Sequence, residues 1–216
     1  MEEPADNGKT RMRVLNAAAE LFARQGFKGA TVRQICALAR VNVASVNYHF
    51  KSKSQLYSEV CHTVFSRDSR AFFPSPETVR TEEDWSRALR AGFERLLTLA
   101  LNEEPPDCWL ARLFARERTE PSAASEVLAD RFFSPLKDGL VRLVEMGLPP
   151  DAPARQAELL SVAALAQCLV YTQKSGVWEP LLIPPGMDRA ELAARMAAIV
   201  ANGLLAQLRY RPRPAG

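Results

Sequence analysis

From residue 9 almost to the C-terminal end, apolar residues recur at intervals of three and four, and no stretch shows the every-second-residue alternation of a half-buried strand. The pattern predicts an all-α fold. Val14, Leu15, Ala18, Leu21 and Phe22 form the first stripe, which implies a helix from about Lys9 to Gln25 stopped by Gly26. Val32, Ile35, Cys36 and Ala39 form the next, opened by Thr31 and Gln34 in capping-box spacing. Asn42 is a suitable N-cap for a third helix from Val43 to about His49, with Val46 and Phe50 turned inward. A fourth helix opens at Lys51 to Ser54 and carries Leu56, Tyr57, Val60, Val64 and Phe65 toward about Phe73, ahead of Pro74 and Pro76. Beyond it the periodicity predicts helices over Glu82–Leu101, Pro106–Thr119, Ser122–Met146, Pro153–Lys174 and Asp188–Leu208, separated by proline pairs at 105–106, 149–150 and 184–185. Pro135 falls inside a helical pattern and predicts a kink. The sum is about nine helices. They divide into an N-terminal three-helix head and a C-terminal helical bundle.

Composition sharpens this picture in three places. The chain has 216 residues and 47% hydrophobic composition, ample for a buried core without staples. Its net charge is only +3, yet residues 9–53 hold nine Lys or Arg against Glu20 alone, so that segment carries +8 and the remainder −5. A basic head on an acidic body points to a polyanion partner. Cys36, Cys61, Cys108 and Cys168 are widely spaced, with no C-x-x-C and no neighbouring His pair, which argues against zinc and for reduced core thiols. The polar N-terminus does not have the form of a signal peptide, and Leu159 to Gln173, the longest uncharged run at fifteen residues, falls short of the roughly 20 that span a bilayer. No membrane association and a cytoplasmic location are expected. The expected division is a disordered 1–8, a basic head over 9–53 and a helical body over 54–210.

The chemistry-bearing stretch is Thr31 to Phe50. Two short helices joined by a tight turn read as a helix-turn-helix that places Val43 to Asn47 in a DNA major groove. Ala44, Ser45 and Asn47 lie on the outer face, where small side chains approach base edges and an amide can pair with adenine. Lys9, Arg11 and Arg13 can reach phosphates. Residues 31–53 resemble the DNA-binding motif of the TetR family of bacterial repressors, whose recognition helix typically ends in Tyr-His-Phe followed by a Lys, here Tyr48, His49, Phe50 and Lys53. Arg40 stands where the family usually has a turn Gly, and Asn47 where many members have Tyr. Together, residue reading and resemblance give an expected DNA-binding set of Thr31, Arg33, Asn42, Val43, Ala44, Ser45, Asn47, Tyr48, His49, Lys51 and Lys53.

The body is similar to the CecR-type C-terminal subgroup of that family, in Leu110-Ala-Arg-Leu-Phe114 with Glu117, in Phe133-Ser-Pro135-Leu, and in Leu165 to Tyr171. The resemblance implies a ligand-released repressor that binds a palindromic operator as a homodimer. The alanine-rich helices at 153–174 and 188–208 are suited to a two-fold four-helix bundle between subunits. Aromatic residues including Trp85, Trp109, Phe132 and Trp178 could line a cavity, and the residues expected to meet a small apolar or aromatic effector are Phe114, Phe133, Gln167, Cys168 and Tyr171. Arg112 is a further polar candidate for that cavity, and Arg112 with Glu117 could equally be an ordinary surface pair. Catalysis is not expected. The adjacent Cys61 and His62 cannot face each other on a helix, and the chain carries no P-loop, dinucleotide fingerprint or metal-ligand cluster, so neither cofactor nor metal is called for. The alternative is an all-helical interaction module, which would have no reason to present Ser45, Asn47 and His49 beside Lys51 and Lys53.

Overall fold

The computed structural model describes residues 4–65, 72–105, 107–122, 124–172 and 179–210. Among them the chain is helical, with eleven α segments and no strand: α1 Pro4–Gly29, α2 Val32–Ala39, α3 Val43–Phe50, α4 Lys53–Phe65, α5 Glu82–Leu101, α6 Asp107–Thr119, α7 Ala124–Leu128, α8 Ser134–Glu145, α9 Gln156–Leu169, α10 Glu179–Leu182 and α11 Arg189–Leu205. Trp178, residues 66–71 of the fourth predicted helix and the end of the one predicted to Lys174 lie outside the described residues, and at Phe72 and Phe73, where the fourth is predicted to end, the chain is not helical.

Two compact units emerge. The first comprises Met1–Arg67 with Glu104–Arg131. Here α1 packs against α2, α4 and α6, and α4 against α7. Its core is built from Val14, Ala18, Phe22, Ile35, Phe50, Leu56 and Val60, all nearly solvent-free, as the apolar stripes required. Gly26 leaves the helical conformation at φ 74°, the stop expected of it. The helix begins earlier than the expected Lys9, at Pro4, a first-turn position where no backbone donor is needed. The unit also reaches beyond 9–53, because α4, α6 and α7 pack into it.

The second unit comprises Asp68–Glu103 with Phe132–Gly216. The long helix α5 runs over the predicted Glu82–Leu101, opened by Thr81 accepting from the Asp84 N–H with three acids in its first turn. Its buried Trp85, Leu89, Phe93 and Leu97 form the spine against which α11 packs. Ala193, Ala197 and Ala201 are buried on α11, and small side chains there let the two axes approach. Half of the alanine signal therefore serves internal packing. Trp85 donates its indole N–H to the Leu143 carbonyl at 2.8 Å, tying α5 to α8. The kink predicted at Pro135 takes the form of a π-helical segment over Ala129–Phe133, which directly precedes α8. A wider turn accommodates a residue that cannot donate to the carbonyl one turn back.

Candidate nucleic-acid interface

Local side-chain chemistry fixes both helices of the motif. Thr31 Oγ1 accepts from the Gln34 N–H at 3.2 Å while Gln34 Oε1 accepts from the Thr31 N–H at 2.8 Å, closing the predicted capping box. At the start of α3, Asn42 Oδ1 accepts from both the N–H and the hydroxyl of Ser45, at 2.8 and 2.9 Å. Thr31, Asn42 and Ser45 thus hold the helix ends in place, and the Ser45 hydroxyl is turned to the cap.

Between the helices, Arg40 sits in the left-handed region at φ 54° and ψ 48°, the conformation a turn glycine would adopt without strain. Arg13 donates to the carbonyls of Ala39 and Arg40 at 2.6 and 2.9 Å, which ties the turn to α1. After α3, Lys51 also has positive φ, 57°, and the Ser52 N–H reaches back to the Phe50 carbonyl in a tight three-residue turn. Ser52 then caps α4 by accepting from the Gln55 N–H at 3.1 Å.

The third helix has two distinct sides. Val46 and Phe50 are buried at 2% and 1% exposure, whereas Val43 is 44% and Tyr48 74% exposed. Ala44 and Asn47 are exposed with them, and Ser45 and His49 are half-exposed, with the His49 ring edge-on to Tyr48. Arg33, Arg40 and Lys51 are exposed cations flanking this face.

Other cations of the basic segment are engaged within the protein. Arg11 pairs with Glu59 at 2.8 Å and lies over the Phe50 ring, and Lys28 pairs with Glu120 at 3.8 Å. Lys53 donates to the Ala30 carbonyl at 2.9 Å and stands 4.5 Å from the centre of the Phe27 ring. Arg11 and Arg13, expected to reach DNA phosphates, thus act first as internal ties. Lys53 shares that work.

Sequence reading missed a buried polar node in the same unit. Glu117, for which a surface pair with Arg112 is one reading of the sequence, is only 4% exposed. Its carboxylate accepts from the Tyr57 hydroxyl of α4, from the Ser122 N–H and hydroxyl at 3.0 Å, and from the Ser125 hydroxyl at 2.6 Å. Burial, with Cys61 and Glu117 alongside, raises the Tyr57 phenol well above its ordinary value, and burial together with the Glu117 charge pushes the Cys61 thiol up to about 12. Beside this node Arg116 donates to the carbonyls of Ala23 and Arg24, closing the C-terminal end of α1 before Gly26. The signal available in the sequence was a carboxylate three residues after Phe114 on the stripe Leu110, Leu113, Phe114.

The residues expected to meet an effector are divided. Phe114 belongs to the first unit, while Phe133, Gln167, Cys168 and Tyr171 belong to the second. Cys168 and Tyr171 are buried together, and burial pushes the Cys168 thiol up to about 12. Gln167 is exposed, and its amide donates to the Ala163 carbonyl one turn back. It shares the outer side of α9 with Leu159, Val162, Ala163, Ala166 and Val170. Among the described residues no group of three His, Cys, Asp or Glu could hold a metal ion, and no helix is long and apolar enough to cross a membrane.

Comparison with known proteins places this architecture. A family model described as bacterial regulatory proteins, tetR family, matches residues 14–60, and one described as the C-terminal domain of the HTH-type transcriptional dual regulator CecR matches residues 86–207. The Shigella flexneri dual regulator CecR is 25% identical over 169 residues, covering 76% of this chain and 75% of its own. The fold is similar to that of a Rhodococcus transcriptional regulator, with a TM-score of 0.67 at 22% identity over 94% of this chain and 99% of that one. It is also similar to the ketosteroid transcriptional regulator KstR2 of Mycobacterium tuberculosis, with a TM-score of 0.60 at 19% identity over 89% and 93%.

Proposed function

Because this chain belongs to the TetR family of bacterial transcriptional regulators, we propose that it is a cytoplasmic repressor that binds a palindromic operator as a homodimer and is released by a small apolar or aromatic effector. The observation that carries the reading is the two-sided α3. A helix anchored by Val46 and Phe50 presents Val43, Ala44, Asn47 and Tyr48 outward at the end of a basic helix-turn-helix, the surface a major groove requires. In this reading Asn47 contacts base edges, and Arg33, Tyr48, His49, Lys51 and Lys53 contact the backbone, which positions the helix without carrying sequence information. Thr31, Asn42 and Ser45 contribute through the caps they form.

Support for the dimer comes from the outer sides of α9 and α11. Leu159 is 65%, Val162 52% and Ile199 58% exposed. They lie with the exposed Ala163, Ala166, Gly203 and Ala206 on helices of the second unit. Apolar and small residues along two neighbouring helices suit an isologous four-helix packing with a second copy. Gln167 fits that face better than a cavity. Phe133, Cys168 and Tyr171, all of the second unit, retain the effector role. In this reading residues 9–53 bind DNA, residues 54–210 bind the effector and the second copy, and the effector acts by changing the separation of two recognition helices. Half-sites one DNA turn apart require about 34 Å between them, and coupling on the order of 1–3 kcal/mol is typical of such linkage.

Fluorescence anisotropy on DNA from upstream of the coding region, against scrambled DNA at two salt concentrations, tests the reading. Selective, salt-sensitive binding at two subunits per duplex is expected. Equal affinity for every duplex tried, including those enriched from a random pool, would overturn it.

A further inference from the structure

The outward face of α3 carries a base preference. We propose that α3 selects A·T pairs: Asn47 reads adenine, and Val43 with Ala44 reads the thymine methyl. The inference rests on the DNA-binding reading above and adds which bases the helix accepts.

Each base edge in the major groove asks for a different partner. Guanine offers two acceptors, N7 and O6, and is best met by the donors of an Arg or Lys. Adenine offers one acceptor and one donor, the pattern of an Asn or Gln amide, and thymine offers a methyl group that prefers apolar contact. The exposed positions of α3 are Val43, Ala44, Asn47 and Tyr48. None is a cation. Around the helix Asn47 lies between Val43 and Ala44, within about 100° of arc, so these three exposed side chains are neighbours, and Tyr48 follows Ala44. An Asn directed at guanine would leave its carbonyl oxygen facing an acceptor, whereas on adenine both ends of the amide are matched.

The flanking cations do not supply the missing donor from α3 itself. Arg33 belongs to the first turn of α2, Arg40 to the turn before α3, and Lys51 to the turn after it. Ser45, the remaining polar group near the first turn, donates its hydroxyl to Asn42. Val43 is an apolar side chain left 44% exposed at the N-terminal end of the helix, the end that contacts base edges in helix-turn-helix complexes. Contact with a thymine methyl gives that exposure a use.

The test starts from duplexes enriched by the full-length protein from a random pool. In the enriched half-site, each thymine is replaced by deoxyuridine and each adenine by 7-deazaadenine. Binding is then measured for the wild type, Val43→Ala and Asn47→Ala. Half-sites with an A·T core are expected. At one thymine per half-site or more, uracil should weaken the wild type about fourfold, the effect of burying one methyl group, and Val43→Ala by less than twofold. Deazaadenine should weaken the wild type but leave Asn47→Ala unchanged. Thermal unfolding of both variants, which alter exposed positions, controls for folding. A G·C core at the positions where Val43→Ala and Asn47→Ala change the enrichment, or equal uracil losses in wild type and Val43→Ala, would overturn the proposal while leaving DNA binding intact. Failure to enrich any sequence would overturn the DNA-binding reading beneath it, and this proposal with it.

Discussion

Removing the Glu117 carboxylate should unravel the polar node of the first unit at a cost that the structure lets us apportion. In Glu117→Ala the Tyr57 hydroxyl, on a side chain only 4% exposed, loses its acceptor. A buried donor left unpaired costs about 1–3 kcal/mol. Ser122 and Ser125 are half-exposed and can turn to solvent, so their lost bonds add about 1 kcal/mol between them. The total is about 3 kcal/mol, worth more than 10 °C in Tm for a domain of roughly 60–100 residues. Glu117→Gln keeps one oxygen for Tyr57 but turns an amide donor toward the Ser122 N–H, and should cost about half as much. Tyr57→Phe removes the buried donor with its acceptor still served by three others, so it should cost about 1 kcal/mol. Urea unfolding followed by circular dichroism measures all three, and the double variant Tyr57→Phe with Glu117→Ala should be less destabilised than the sum of its parts. Glu117→Ala within 0.5 kcal/mol of the wild type, or strict additivity, would show that the carboxylate does not serve the buried hydroxyl as described.

Three further outcomes follow from the geometry. Val162→Glu with Ala166→Glu places charge on the exposed apolar side of α9; sedimentation should show a dimer for the wild type and a monomer for the double variant with unchanged helicity, and a variant that stays dimeric would remove α9 from the interface. The thiols of Cys61 and Cys168, both pushed up to about 12, stay protonated in the folded protein while an unfolded thiol begins to ionise near 9. Protons are then lost preferentially from the unfolded chain, so stability should fall as pH rises from about 9 toward 12, by up to about 1.4 kcal/mol per pH unit for each thiol. Cys61→Ala with Cys168→Ala should flatten that slope, and an unaltered slope would refute the assignment. Lys53→Ala should lower the stability of the head by about 1 kcal/mol through loss of the Ala30 bond and the Phe27 ring contact. It should also reduce the salt slope of DNA binding by about one; an unchanged slope would assign Lys53 to the fold alone.

What was legible in the sequence was local. Caps within three residues of their partners, the Gly26 stop and the periodic faces of α3 and α5 appear where the pattern put them, because each is decided by neighbours along one helix. Pro135 announced a distortion, although its π form depends on how the helix relaxes around it. The ties that span long stretches of chain were not legible. Arg13 to the Arg40 carbonyl, Lys53 to Ala30, Arg116 to Ala23 and Tyr57 to Glu117 join residues 23 to 93 positions apart, and sequence periodicity says which face is buried but not what it meets. For the same reason the basic residues read as one phosphate-binding set, while several of them first hold the head together. The expected effector residues split in a similar way, since position within a helical segment does not reveal that Gln167 faces outward while Cys168 faces in.

The account stands most directly on the Kd of the wild type and of Asn47→Ala for an operator duplex and for a scrambled duplex, each over a range of salt. If α3 reads base edges, the variant should lose about 5- to 150-fold on the operator, the 1–3 kcal/mol of a bidentate base contact, with no change on scrambled DNA and no change in salt slope. Equal losses on both duplexes would contradict the account, because they would make Asn47 one more backbone contact and leave α3 without a reading residue.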